Sequence, residues 1–171
     1  MEIIKYNGFN ISGICEAKFA FVSEIKSIVP LYENHQMLVH FKPNKGFSDL
    51  YFSQASEKCE TKEINDKSGK YYQTLIELNH PRLDPQKSFH FDLLKDTDLI
   101  FMFKDKHGNR ILVGSMEMPA RISYSLSLSA NQRNQRTVSI EAVSDQEPFY
   151  LADAVSVYGR AFSSGFSEGF S

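Results

Sequence analysis

The sequence contains no tryptophan and only two cysteines, and it has no long apolar run. Cys15 and Cys59 show neither CxxC spacing nor the density of a disulfide-stapled scaffold, so we expect no disulfide. Crossing a bilayer takes about 20 consecutive apolar residues, so we expect no membrane-spanning segment. The first ten residues, MEIIKYNGFN, lack the apolar core of a signal peptide. These absences predict a protein that stays in the cytoplasm until it meets its partners.

An excess of one charge is also missing. The chain carries 19 Lys and Arg against 21 Asp and Glu, a net charge of −2 at pH 7, with both signs interleaved. Nucleic acids and anionic membranes attract surfaces of positive potential, so the composition gives no electrostatic reason to expect either as a specific partner. The 42% of hydrophobic residues is typical of a folded domain, and 171 residues are enough to bury a core.

Recognisable catalytic and metal-binding motifs do not occur. There is no G-x-S-x-G, no phosphate-cradling glycine loop and no H-E-x-x-H. His35 and His40 are five residues apart in a strand-like region, so they would lie on opposite faces. Asp92, Asp96 and Asp98 lack the alternating ligands and terminal glutamate of a calcium-binding loop. We therefore expect a protein that is not an enzyme and that holds no metal or cofactor.

The dominant pattern that is present is alternation with period two, which is typical of strands with one buried face. In 120–129, Ile122, Tyr124, Leu126 and Leu128 alternate with Arg121 and a series of serines. The other strand-like runs are 13–25, 37–41, 49–53, 71–78, 98–104, 109–115 and 135–143. Within 13–25 the apolar surroundings predict that Cys15 is a small core residue.

Two turns share the pattern Asp-Lys-x-Gly, in NDKSGK and KDKHGN. Each lies between strand-like segments, so Gly69 and Gly108 are expected to supply the positive φ of short hairpin loops. Asp66 and Asp105 are expected to accept hydrogen bonds from nearby backbone N–H groups.

Few segments of the sequence have the periodicity of a helix. Segment 85–96 fits about two helical turns with Ser88 as N-cap, although its alternating SFHFDL fits a strand as well. We interpret 144–159 as the last ordered segment. The predicted fold is therefore an all-β domain over 1–159, an antiparallel β-sandwich or barrel-like domain with at most one short helix, followed by an extended C-terminal arm.

The C-terminal arm, residues 160–171, is rich in Phe, Gly and Ser. If it is extended, Phe162, Phe166 and Phe170 point to one side and the opposite side carries only Ser and Gly. Ordering the backbone costs about 1–2 kcal/mol per residue, whereas each buried Phe returns about 1.5–3 kcal/mol. The arm alone cannot meet that cost, so it predicts docking on a sheet edge or in pockets of a partner. Tyr158, just before the arm, is assigned to the same contact.

The polar turn SANQRNQRTV carries Arg133 and Arg136 among Gln and Asn residues. We interpret it as an exposed loop. Its alternative role is a contact loop that touches phosphate, or neighbouring subunits through amide hydrogen bonds.

Two stretches stand out as a pair. The first is FSDLYFSQASEKCETKEINDKSGKYYQTLIELNHP (47–81), and the second is 99–150, which begins with LIFMFKDKHGNRILVGS and ends with Phe149 and Tyr150. Together they resemble small structural proteins of tailed bacteriophages. Those proteins build the neck and tail as stacked rings. The order that carries the resemblance is a strand, an Asp-x-x-Gly turn, ILVGS closing on Pro119, a long strand, a polar turn and TVSIEAV.

That resemblance implies a β-sandwich or barrel-like protomer that closes into a homo-oligomeric ring in the virion, after assembly in the host cytoplasm. Its partners would be neighbouring neck, tail or portal proteins, with DNA passing through the lumen without specific contacts and no membrane. The arm and the Arg133–Arg136 turn would then contact adjacent subunits or face the lumen. Tail-tube proteins often carry a clear packed helix, so a head–tail connector is favoured over a tail-tube or tail-completion protein.

Two readings from other classes stay open. One is a ligand-binding β-sandwich such as a carbohydrate-binding module, which predicts a monomer with an exposed aromatic platform at Tyr71 and Tyr72. The other is an enzyme whose polar groups are assembled from distant positions.

Overall fold

The structure, a computed structural model, describes residues 13–31, 35–53, 57–67, 69–81, 85–127 and 135–152. Along the chain the elements are β1 (Ile14–Phe21), a 3₁₀ turn (Val22–Glu24), β2 (Ile25–Leu31), β3 (Gln36–Phe41), β4 (Ser48–Asp49), β5 (Lys58–Asp66), β6 (Gly69–Pro81), α1 (Pro85–Lys95), β7 (Leu99–Asp105), β8 (Arg110–Val113), β9 (Arg121–Ser127), β10 (Gln135–Ser144) and β11 (Phe149–Leu151). The predicted all-β fold with one short helix is confirmed.

The strands form two sheets. Sheet A has seven strands in the order β2–β3–β11–β8–β7–β1–β4, and sheet B has four in the order β5–β6–β10–β9. All neighbours are antiparallel except β11 and β3, which run parallel. Antiparallel neighbours require only short connections, which agrees with the hairpins between β5 and β6 and between β7 and β8.

The main hydrophobic core lies between the two sheets. Sheet A contributes Leu99 and Phe101, and sheet B contributes Ile76, Val138 and Ile140, all of them fully buried. The sheet B residues follow the period-two alternation of β6 and β10, because successive side chains of a strand point to opposite faces. This packing of one sheet on another gives the sandwich-like fold that the alternation predicts.

A second core cluster lies on the other face of sheet A. It joins Ala20 of β1, Ile100 of β7 and Leu112 of β8 to Ile25 at the start of β2. Because β1 and β2 stand near opposite ends of the strand order, residues from both can meet only if sheet A curls. The curl explains why β7 is apolar on both faces.

The first predicted strand is interrupted and contains a bulge. The run 13–25 ends as a strand at Phe21, and a 3₁₀ turn leads into β2. The pairing of β1 with β7 shifts register between Ile14 and Glu16, so the alternation changes face there. As a result Cys15 is exposed and free, which contradicts its predicted place in the core.

Two other local predictions are wrong in detail. The predicted strand over 49–53 is limited to β4, two residues that pair with β1, and residues 50–53 are irregular. The helix is confirmed, but it begins at Pro85, so Ser88 lies inside its first turns and is not the N-cap. Proline at the start of a helix is favourable because its missing N–H would have no intrahelical partner there.

The two Asp-Lys-x-Gly turns form hairpins as predicted. Gly69 and Gly108 have φ of 124° and 91°, a region that glycine enters without strain. In the second turn both carboxylate oxygens of Asp105 act as acceptors. Oδ1 accepts from the backbone N–H groups of His107 and Asn109, each at 2.8 Å, and Oδ2 accepts from the Asn109 side chain at 2.8 Å.

Replacing Asp105 by alanine should lower the free energy of unfolding by about 1–2 kcal/mol at neutral pH, because the turn loses three hydrogen bonds. Partial burial of the carboxyl opposes its ionisation. The hydrogen bonds from Asn109 and His107 outweigh that effect and lower the pKa of Asp105. The contribution of the carboxylate is therefore complete above the unfolded-state pKa and is lost as pH falls through the lower folded-state pKa.

Urea unfolding followed by circular dichroism at pH 7 and at about pH 2 measures this effect, since the carboxylate of an unfolded chain titrates near pH 3.9. The difference between the unmodified chain and Asp105→Ala should narrow at the lower pH. A difference that stays the same at both pH values would contradict the role of the ionised carboxylate.

Candidate functional site

Most of the residues predicted to contact partners lie outside the described residues. Phe162, Phe166, Phe170 and Tyr158 belong to 153–171, and Arg133 belongs to 128–134. Their predicted role stays a prediction, as does the boundary between the domain and its arm.

Arg136 was predicted on the exposed turn, and here the structure corrects the sequence analysis. Ladder pairing of β10 with β6 and β9 begins at Gln135, so Arg136 is the second residue of a strand. Its side chain points inward and is only 2% exposed. Arg136 therefore does not present a surface for a neighbouring subunit or for the lumen.

The buried guanidinium of Arg136 joins α1 to sheet B. Its central carbon lies 5.0 Å from the ring centre of Phe91 in α1 and 4.9 Å from that of Tyr124 in β9. Such cation–π contacts gain strength when they are removed from water. The Tyr124 hydroxyl donates a hydrogen bond to Asp92 of α1, and this bond together with desolvation raises the pKa of the phenol.

Helix α1 is only partly covered by the body. Phe91 and Leu94 face the core and are buried, whereas Phe89 and Leu93 are 61% and 58% exposed. Two large apolar side chains thus remain in water on a helix of 11 residues. Neighbouring apolar residues exposed in this way are typical of interaction surfaces.

A cleft opens beside this helix, and we call it the α1 groove. It has a volume of about 420 Å³ and lies between the end of β1, the segment after β4, and α1. Tyr51 lines it and is 76% exposed. The groove is lined by Phe19, Phe21, Asp49, Leu50, Tyr51, His80, His90, Phe91, Leu93 and Leu94. Seven of these ten side chains are apolar or aromatic, and the other three are Asp49, His80 and His90.

The aromatic side chains of the groove are held in fixed mutual orientations. The rings of Phe19 and Phe21 meet edge to face at 5.8 Å, and those of His80 and Phe91 do so at 5.6 Å. Edge-to-face packing is a favourable arrangement of aromatic rings. The floor of the groove is therefore preformed and apolar, which suits an apolar side chain of a peptide better than a charged ligand.

A second cavity, of about 650 Å³, lies between β3, β8 and the segment that precedes β11. Its lining includes Gln36, Ser115, Glu117, Asp145 and Glu147, so it is more polar than the α1 groove. At its edge the His35 ring stacks on Phe149 at 4.3 Å.

The outer strands of sheet B differ sharply in charge. β5 carries Lys58, Glu60 and Lys62, whose side chains form ion pairs at 3.4 and 3.1 Å. β9 has one charged residue, Arg121, and then only Ser, Ile, Tyr and Leu. Charged edge strands resist pairing with other chains, whereas uncharged ones permit it. β9 is therefore the edge of sheet B better suited to pair with another chain.

The aromatic platform of the carbohydrate-binding alternative is not formed. Tyr71 and Tyr72 are consecutive residues of β6, so their rings point to opposite faces of sheet B. The Tyr72 hydroxyl donates to Glu63 at 3.2 Å, and the Lys70 ammonium lies 5.4 Å from its ring centre. The two tyrosines cannot stack together on one sugar.

Among the described residues no three His, Cys, Asp or Glu side chains cluster in a way that could hold a metal ion. In the same part of the chain, no helix has both the length and the apolar character needed to span a membrane.

Sequence patterns did not reveal the α1 groove. Its residues come from four separated segments, near positions 20, 50, 80 and 90, and each apolar residue taken alone is typical of a core. The one available signal was the apolar surplus of SFHFDLL, which has more large side chains than one buried helix face requires.

Comparisons with known proteins give no relative. No family model, curated protein or solved structure matches this chain.

Proposed function

We propose that this chain is a non-enzymatic structural protein of a phage virion, which forms a ring at the head–tail junction and locks adjacent rings through loops and residues 160–171. The observation that carries the proposal is the α1 groove, an open apolar cleft bordered by the exposed side chains of Tyr51 and Leu93. Exposed apolar surface of this kind has a free-energy cost in water that contact with another polypeptide removes.

The uncharged edge of β9 supports the same proposal. Among the described strands β9 is the last one of sheet B, and Arg121 is its only charged residue. A strand from another copy could add there through backbone hydrogen bonds, as in other assemblies built by sheet extension. A groove and a pairing edge on one protomer provide two different contacts, which a closed ring requires.

The assignment to a phage virion depends on the resemblance of 47–81 and 99–150 to ring-forming neck and tail proteins. Those two stretches contain β4 to β6 and β7 to β11. Their Asp-x-x-Gly turns are hairpins, with positive φ at Gly69 and Gly108. These features agree with the resemblance without being specific to phages.

A tail-tube or tail-completion protein is the second candidate, and α1 favours it. The head–tail connector was preferred because the sequence showed no clear packed helix. The structure has one, anchored by Phe91, Leu94 and the Arg136 cluster. Either position in the virion requires the same self-association, so one first experiment serves both.

Removing residues 160–171 should weaken assembly and leave the β-body folded, because the described core lies entirely before the arm. We expect the full chain to form closed oligomers in light scattering and electron microscopy. The truncated chain should need at least about tenfold higher concentration to do so, since it loses the anchoring phenylalanines. Circular dichroism should show the same β content in both.

The control for this deletion replaces Ser163 and Ser167 by alanine, which changes the bare side of the arm and keeps all three phenylalanines. It should assemble like the unmodified chain. Equal assembly of the truncated and full chains would contradict the role of the arm. A chain that stays monomeric up to its solubility limit, in both forms and in the presence of purified neck or tail proteins, would contradict the proposed function.

A further inference from the structure

We propose that the α1 groove is the receptor for the phenylalanines of residues 160–171 from a second copy of this chain. The inference rests on the proposed function and adds to it which surface receives the arm and which subunit supplies it. It joins an open apolar cleft to a segment of the same protein that carries three evenly spaced aromatic anchors.

The groove has the size and lining that a phenylalanine requires. An apolar cavity of about 150 Å³ holds one benzene ring, and the α1 groove measures about 420 Å³. It therefore has room for a Phe ring and for the small Ser and Gly residues beside it. Its walls present Phe19, Phe21 and Phe91, whose edges and faces can pack against a further ring in the geometry that aromatic pairs prefer.

The margin of the groove suits an arm in which Phe recurs at every fourth residue, with mainly Ser and Gly between. Tyr51 and His90 stand at its mouth as polar side chains on an apolar lining. A hydroxyl and an imidazole can hydrogen-bond to the backbone or serine hydroxyls of a bound segment. The arm itself brings one basic and one acidic residue, Arg160 and Glu168, against three phenylalanines, so recognition depends on apolar burial more than on charge.

The direction of β11 favours a second copy over the same copy. β11 is antiparallel to β8, which is antiparallel to β7, which is antiparallel to β1. β11, the last described strand, therefore runs opposite to β1. The groove lies at the far end of β1, at Phe19 and Phe21. A segment that continued beyond Ala152 in the direction of β11 would move away from the groove of its own copy.

Lateral distance adds to this argument. In sheet A, four strand spacings separate β11 from β4, the strand beside the groove. At about 4.8 Å per spacing this is about 19 Å across the sheet, in addition to the offset along the strands. An arm that bound its own groove would have to reverse direction and cross the sheet. Donation to a neighbour avoids the reversal, and each copy then gives one arm and receives one, as a closed ring requires.

A disulfide-trapping experiment on the full chain tests the proposal. Cys15 and Cys59 are both free and exposed, so both are first replaced by serine. One preparation then carries Phe166→Cys in the arm, and a second carries Tyr51→Cys at the groove. The two are mixed under mild oxidation and separated on a non-reducing gel. We expect a covalent heterodimer as the main product.

The matched control acceptor is Val143→Cys. Val143 is exposed on β10, the strand beside β9 in sheet B, and it does not line the groove. With Phe166→Cys it should give at least about tenfold less heterodimer, because the two thiols are not held at high effective concentration. A synthetic peptide of residues 160–171 should suppress the Tyr51→Cys product, and the same peptide with all three Phe replaced by Ser should not.

A chain that carries both Phe166→Cys and Tyr51→Cys distinguishes the donor. Covalent dimers and larger species should form, at a yield that falls on dilution. An intrachain product that is independent of dilution would overturn donation by a second copy. Heterodimer yields equal for Tyr51→Cys and Val143→Cys would overturn the groove as receptor.

Assembly of the unmodified chain, measured in parallel, separates this inference from the proposed function. If rings form but Tyr51→Cys gives no specific product, the receptor lies elsewhere and the structural role stands. If the specific product forms but no closed oligomer does, the groove stands as receptor and the ring is wrong. A double change of Leu93→Glu and Tyr51→Glu, both at exposed positions, should abolish the specific contact without unfolding the body.

Discussion

Replacing Gly114 by alanine is expected to lower the free energy of unfolding by about 3 kcal/mol, through backbone strain and steric overlap. Gly114 follows β8 and has φ of 90°, which residues with a Cβ adopt at a cost. A Cβ built there would lie 2.8 Å from the backbone nitrogen of Ala120 and 3.2 Å from the carbonyl oxygen of Leu99. Neither neighbour is the end of a flexible side chain, so the backbone itself must move.

The position matters because that backbone joins the two sheets. Leu99 and Ala120 exchange hydrogen bonds of 3.3 and 2.8 Å, which tie the start of β7 in sheet A to the entry of β9 in sheet B. A Cβ on Gly114 would press on both partners of this pair. We therefore expect a loss of packing between the sheets as well as local strain, and 3 kcal/mol is roughly a quarter to a half of the stability of a typical domain.

Gly108→Ala is the matched control. Gly108 has nearly the same φ, 91°, but nothing lies within 4 Å of its built Cβ. Gly108→Ala should lower the free energy of unfolding by about 1–2 kcal/mol, because only the strain of the positive φ acts there. Gly46→Ala, with open space and no positive φ, should be close to neutral. Urea unfolding curves of the three variants measure these differences. Equal losses for Gly114→Ala and Gly108→Ala would show that contact with Ala120 contributes nothing.

Much of the fold follows from patterns that are local in sequence. The strand-like runs 71–78 and 135–143 are predicted from their aromatic and β-branched residues, and they form β6 and β10, in which Ile76, Val138 and Ile140 are fully buried. The Asp-Lys-x-Gly turns are predictable for the same reason. The Asp side chain that accepts the hydrogen bonds and the glycine with positive φ lie within a few residues of each other.

Features that depend on distant partners were not predictable. The bulge in β1 places the Cys15 side chain on the exposed face, where the sequence predicts it in the core. Only the register of β1 against β7 reveals this bulge. Likewise, the charge and polar neighbours of Arg136 indicate a loop, whereas its burial depends on Phe91 and Tyr124, which are 45 and 12 residues away in sequence. The α1 groove is assembled from four such distant segments, so the candidate site could be found only in three dimensions.

Replacing Arg136 by alanine should lower the free energy of unfolding by about 2–4 kcal/mol. Two contributions combine, namely the loss of desolvated cation–π contacts and the cavity left between two rings. The side chain is 2% exposed and lies about equally far from Phe91 and Tyr124. Without it, α1 keeps its hydrogen bond from Tyr124 to Asp92 but loses the group that fills the space between helix and sheet.

Graded substitutions separate charge from packing. Arg136→Lys keeps the charge but not the planar stack, so it should fall between the unmodified chain and Arg136→Ala. Arg136→Met keeps much of the side-chain volume without the charge. If packing dominates, it should lose less stability than Arg136→Ala. Arg121→Ala is the control, since Arg121 pairs with Asp98 at 2.8 Å with its side chain 59% exposed. That exposed pair should contribute no more than about 1 kcal/mol.

Urea unfolding gives the stabilities, and amide hydrogen exchange in α1 gives the local effect. Because α1 forms one wall of the groove, Arg136→Ala should also speed exchange of the Phe91 and Leu94 amides beyond what global unfolding explains. Arg121→Ala should leave those amides unchanged. The opposite result would be an equally small loss of unfolding free energy in both variants, with the same amide exchange rates in α1. Arg136 would then not hold the helix in place, and the groove wall would depend on Phe91 and Leu94 alone.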